Sequence, residues 1–304
     1  MERNTAKRTL EKLLSVCICL CMLGAMLPAQ VFAEEADTAQ TETVQDTAPK
    51  DTVYLSSADD LIQLAKNCRL DSWSQNRTVV LEADIDLSSV DFNGIPSFGG
   101  TWEGQNHAIT GLSLSQDGSV QGLFRYVQQG ALVRDMTVKG RIKPGGTRAS
   151  VGGIAGSNAG TIENCAFDGV VSGTSQIGGI AGVNTVKGSI NGCTVSGTVY
   201  GSHFVGGVVG QNDGVAANGT NVASVNTTVS QNEVKLNDLT LDDVLKTEKA
   251  NDVTDAGGIA GNNAGVLRAC INRGTIGYSH IGYNVGGIAG SQTGYVEGCV
   301  NYGT

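Results

Sequence analysis

The side chains that could do chemistry are few and dispersed. Only three histidines occur, His107, His203 and His280. His107 sits in Gly104-Gln-Asn-His-Ala-Ile-Thr-Gly111 beside an alternating strand, which is the setting of a turn residue rather than a base. His203 and His280 each fall shortly before a Gly-Gly motif, and neither has a nucleophile at a useful spacing. Asp84, Asp86 and Asp91 form the densest carboxylate group. Clustered aspartates can serve glycoside cleavage or hold calcium. Here Asp84 and Asp86 alternate with Ile85 and Leu87, as the wet face of a strand does. We expect an exposed strand face, with calcium binding by the three carboxylates left open. No catalytic, cofactor-binding or metal-ligating residue is assigned.

The cysteines and glycines that invite chemical readings are periodic instead. Cys17, Cys19 and Cys21 lie in an N-terminal leader, and Cys68, Cys165, Cys193, Cys270 and Cys299 remain. That number is odd and no CxxC pair is present, so neither a disulfide framework nor a zinc site is indicated. Five Gly-Gly-x-x-Gly runs are too many for a dinucleotide loop, which occurs once per domain. They also lack the aspartate of calcium-binding nonapeptides. Asn158, Asn184, Asn212 and Asn263 stand near that position, and stacked amides there would form a structural ladder.

Behind these positions lies an internal repeat. Val151-Gly-Gly-Ile-Ala-Gly156 returns beginning at Ile177, Val205, Ala256 and Val285, at intervals of 26, 28, 51 and 29 residues. Ile162, Cys165, Phe167, Gly169 and Val171 match Ile190, Cys193, Val195, Gly197 and Val199, and the pattern recurs from Leu267 and from Val296. After each Cys the shared positions alternate with period two, which is a strand with one buried face. Such strands bury that face only by stacking coil on coil. Val133, Met136, Val138, Gly140 and Ile142 carry the template upstream, with Met136 in the Cys column, and Ile109, Leu112 and Leu114 carry it more loosely. The expectation is an all-β parallel β-solenoid of six or seven coils between Val79 and Thr304. Cysteines are then reduced core thiols in one column, with vertical disulfides as the alternative.

The pattern Gly-Gly-Ile-Ala-Gly-x-Asn-x-Gly-x-Ile, then Asn-Cys, then Gly-x-Val, resembles the GLUG motif of bacterial surface proteins, over Val151–Thr304. Leu81–Leu87, Ile95–Trp102 and Gly104–Gly111 are similar to the stretch that precedes such repeats. The resemblance extends to adhesin-like proteins and to the region N-terminal to the catalytic part of zinc immunoglobulin A1 peptidases. It implies an extracellular β-helix-like scaffold and no activity by itself. The His-Glu-x-x-His pair of that peptidase centre is absent from the sequence.

Around the repeats, residues 1–33 read as a signal peptide: basic Arg3, Lys7, Arg8 and Lys12, an apolar Leu13–Met26, and Val31-Phe32-Ala33 before the cleavage point. A retained anchor is the alternative. Residues 34–51 read as a disordered acidic spacer. Residues 52–150 hold a cap and degenerate coils, the cap being an amphipathic helix from Ser57 to Cys68. Residues 151–304 hold the GLUG-like repeats, with an insertion within 211–255 that includes a helical Thr240–Glu248. Thr304 falls in mid-coil, from which a C-terminal continuation or a docking partner is expected.

Net charge is −9, which excludes a general basic field for nucleic acid; the membrane is met only through the leader before cleavage. Aromatics are 5% of residues, and Tyr200, Tyr278, Tyr283, Tyr295 and Tyr302 share no repeat position, so a sugar platform is not indicated. The sequence therefore points to a non-catalytic exported scaffold, secreted or at the cell surface, for adhesion, binding or display of a surface protein or glycan. The alternatives are the N-terminal non-catalytic region of a larger exported peptidase, and a carbohydrate-active β-helix.

Overall fold

The computed structural model describes residues 50–146, 148–227, 254–277 and 283–304. The leader, nearly all of the spacer, the helix expected at 240–248, Tyr278 and His280 lie outside them. The described chain is a succession of short strands, each paired in parallel with its counterpart one coil away. One coil runs Ala149–Gly152, Ala155–Asn158, Thr161–Glu163 and Ala166–Ser172 before the chain steps to Ser175–Gly178 and repeats. Stacking these segments makes four parallel sheets of five, seven, nine and nine strands. About eight turns result. The count exceeds the sequence template because Lys50–Leu55 pairs with Arg77–Leu81 and adds a rung with no glycine signature, and because residues 211–227 form a coil of their own.

Register puts like residues over like. Val151, Ile177, Val205, Ala256 and Val285 are direct Cα partners in sequence. So are Val133, Ile162, Ile190, Ala216, Leu267 and Val296. Each column is buried at the interior coils, and the columns merge into one continuous core. At ~25 cal/mol per Å² of apolar area, this merging supplies the stabilisation that no single four-residue strand provides.

The first coil is covered as amphipathicity predicts. Ala58–Asn67 is a helix with Ser57 as N-cap, its Oγ accepting from the Asp60 N–H. Ser57 Oγ–H in turn donates to the Asp60 carboxylate at 2.7 Å, which with neighbouring backbone donors holds that carboxyl below its ordinary range. Leu61, Leu64 and Cys68 pack into the core. The first strand begins at Lys50, two residues inside the stretch read as spacer.

The long interval between repeats resolves differently from its sequence appearance. Val215–Ala217, Thr220–Asn221 and Ser224–Val225 pair with the preceding coil, so residues 211–227 are ordinary coil. The extra residues fall within 228–253, between that strand and Thr254–Gly257, which pairs with His203–Gly206. The coil was disguised because Gly219 stands in the Cys column. A β-carbon on Gly219 would meet Cys270 Sγ at 3.5 Å and Val208 at 3.7 Å, ordinary contacts, without a left-handed backbone. Gly219→Ala is therefore expected to raise stability by about 0.5–1 kcal/mol, read as a higher urea midpoint.

Candidate functional surfaces

Of the aspartates named from sequence, Asp84 clamps two coils together. Asp84 Oδ1 accepts from the Ala108 N–H at 2.9 Å and lies 3.0 Å from His107 Nδ1. Those hydrogen bonds, the backbone one foremost, hold its carboxyl below the usual range. Asp86 accepts from the N–H and hydroxyl of Ser88, with the same effect. Ile85 and Leu87 point inward, so both carboxylates face water. Asp91 is exposed and makes no described bond to them. Among the described residues no group of three His, Cys, Asp or Glu side chains is placed to hold a metal ion. His203 lies on the five-stranded sheet, in register with Ser175 and Thr254 and apart from His107.

Cys165, Cys193, Cys270 and Cys299 follow one column, interrupted by Gly219, Cys68 caps the helix, and all five are free. Cys165 and Cys193 are fully enclosed, and burial pushes the Cys193 thiol up to about 12 and the Cys165 thiol well above its ordinary value. Burial likewise lifts Cys68 and Cys270 to about 11. Since the thiolate is the reactive form, these groups are chemically quiet. Cys299, in the last rung, is only half-buried. We expect a maleimide at neutral pH to label Cys299 alone among these five in the native chain, the others reacting only in denaturant, as read by peptide mass mapping.

The asparagine column is a hydrogen-bonded ladder. Asn158 donates Nδ2–H to Asn184 Oδ1 at 2.8 Å, Asn184 to Asn212 at 2.8 Å, Asn212 to Asn263 at 2.7 Å, and Asn263 to Gln292 Oε1 at 2.9 Å. A second ladder, absent from the sequence reading, joins Asn221, Asn272 and Asn301 at 2.8 and 2.7 Å. Its positions continue the Phe167–Val195 column. The signal available was the recurrence of Asn272 and Asn301 at one repeat position.

The surface with the geometry of a binding site went unnoticed in the sequence. A groove of about 660 Å³ lies on the outer face of the seven-stranded sheet, where Ile95–Phe98, Phe124–Val127 and Ala155–Asn158 run side by side. Tyr126 stands on its floor, 47% exposed, between Ser97 and Ser157 in register. Asp71, from the loop after the helix, and Gln128 form one wall, Gln128 donating to the Asp71 carbonyl and to Ser97 Oγ. Arg125 lines the groove with its guanidinium fixed by the carbonyls of Val120 and Ser119 at 3.1 and 3.3 Å. Among the described residues no carboxylate lies within ion-pairing distance of it. No period-two pattern marked the groove, because alternation would turn Tyr126 inward with Phe124, whereas Phe124 and Val127 are buried and Tyr126 is exposed.

Comparison with known proteins gives a fold and a partial relative. A protein of Bacteroides ovatus proposed to be an immunoglobulin A1 protease superposes with a TM-score of 0.57 at 19% identity, covering 81% of this chain and 74% of that one. The likeness is one of fold. Halomucin of Haloquadratum walsbyi is 29% identical over 128 residues, which is 36% of this chain and 1% of halomucin. No family model matches the chain.

Proposed function

We propose that the chain is an exported repeat scaffold, secreted or held at the cell surface, that displays binding surfaces and carries out no reaction itself. The observation that carries this reading is the parallel stack, in which the interior described coils repeat buried columns while their outward residues vary. Such a body keeps its length and stiffness whatever its surface bears. The repeats fit the GLUG pattern from Val151 onward. A mucin by name and a protein proposed to cleave an antibody are the likenesses at hand, and both kinds of protein meet their targets outside the cell. The test is export: the full chain expressed with its native leader should appear in the envelope or medium as a protein beginning at Glu34. Retention in the cytoplasm with residues 1–33 intact would overturn it.

A second reading is favoured by the solenoid of the Bacteroides ovatus protein. In it the chain is the non-catalytic N-terminal region of an exported peptidase. A His-Glu-x-x-His motif encoded beyond Thr304 would support that reading; a wall-sorting or cell-wall-binding segment there would support an adhesin.

A further inference from the structure

The geometry points to the groove around Tyr126 as a binding site for a carboxylated oligosaccharide, with Arg125 taking the carboxylate and the Tyr126 ring taking a sugar face. Three features select this chemistry. The groove is open and lies on a flat sheet, which suits an extended ligand rather than an enclosed apolar one. Tyr126 offers a half-exposed ring to the C–H face of a pyranose. Arg125 gives its Nε–H and one Nη2–H to two carbonyls and has no described carboxylate partner, so its charge and its remaining N–H donors are left for an anion. Asp71, which also lines the groove and is exposed to solvent, can accept from sugar hydroxyls.

Other ligands fit less well. Nucleic acid and other polyanions are bound by several cations along a track, and only one lines this groove. A peptide held by strand addition needs free backbone donors and acceptors. The strand Phe124–Val127 is already paired on both edges, with Ile95–Phe98 and with Ala155–Asn158.

The carboxylate could belong to a uronic acid or to a sialic acid, and the experiment separates them. Purified chain is titrated calorimetrically with oligogalacturonate and with sialyllactose, and with galactose oligomers and lactose as neutral counterparts. We expect one or both acidic sugars to bind about tenfold more tightly than the neutral counterpart, the weight of one charge-assisted contact. Arg125→Gln should erase that preference while leaving neutral binding unchanged, which also reports that the groove stays folded. Tyr126→Ala, at an outward position, should weaken acidic and neutral sugars alike. Absence of acidic-sugar binding, equal affinity for both classes, or indifference to Arg125→Gln would overturn the site. So would competition by triglycine that depends on Arg125, which would assign the groove to peptides. The site goes beyond the display reading, and because binding is measured on purified chain it succeeds or fails independently of export.

Discussion

Asn184→Val is expected to destabilise the protein by about 3 kcal/mol, seen as a lower urea midpoint. Asn184 is fully buried and joins three coils, accepting from Asn158 and donating to Asn212 and to the Val215 carbonyl at 3.1 Å. Valine fits the space, as Val127 does at the equivalent position two coils earlier. The cost is therefore one of orphaned partners: Asn212 Oδ1 loses its donor, and Asn158 loses its best acceptor in a region without water. Buried polar groups left unmade cost their desolvation, which exceeds what a made bond contributes. Asn184→Asp separates this cause from a packing defect. The buried carboxyl would have its pKa raised above the unfolded value of about 3.9. Its stability is then retained at low pH and lost as pH rises through the folded pKa. The Asp variant should fall progressively behind the Val variant between about pH 4 and about pH 7. Parallel pH profiles for the two would reject the ladder as the source.

Gly179→Ala is expected to cost about 3 kcal/mol, at the upper end of overpacking effects. A β-carbon there would sit 2.2 Å from Val195 Cγ1 and 2.4 Å from the Gly207 carbonyl oxygen. The valine can give way, but the carbonyl cannot do so cheaply, because it accepts the hydrogen bond from the Gly179 N–H. Pairing with Val195→Ala should accordingly recover only part of the loss. Gly219→Ala, with ordinary contacts at the same added atom, is expected to move stability the other way. A uniform cost at both positions would reject close approach between coils as the reason for the repeated spacing of Gly in this chain, since chain entropy alone favours Ala at an unstrained site.

These two residues mark how much of the architecture was readable. Gly179 recurs in all five clear repeats and Asn184 in four of them, with Gln292 in the last, so periodicity places both in columns. The cap helix was likewise legible, because Ser57, Asp60 and the Leu61–Leu64 face are local signals whose partners lie within a few residues. The coil containing Gly219 was hidden, since Gly and Asn there replace Cys and a large apolar residue. Nothing in a linear pattern distinguishes such a coil from an insertion. Asp84 and Asp86 were placed on an outer face, yet the bond from Ala108 to Asp84 joins residues 24 apart, and only stacking brings those together.

Of the described histidines and carboxylates that might have done chemistry, only His107 and Asp84 meet, while His203 and Asp91 lie elsewhere; the groove comes from residues that no motif names. Asp71 follows a helix, Arg125 and Tyr126 lie on one strand, and Ser97 and Ser157 come from the coils on either side. By itself the sequence determined the coil, its columns and its inward-facing residues, because burial repeats with the period of the chain. Outward residues carry no such period, since water accepts many side chains at each position. Which of them meet across coils depends on register and on a loop folding over the sheet, and that was decided by the tertiary structure alone.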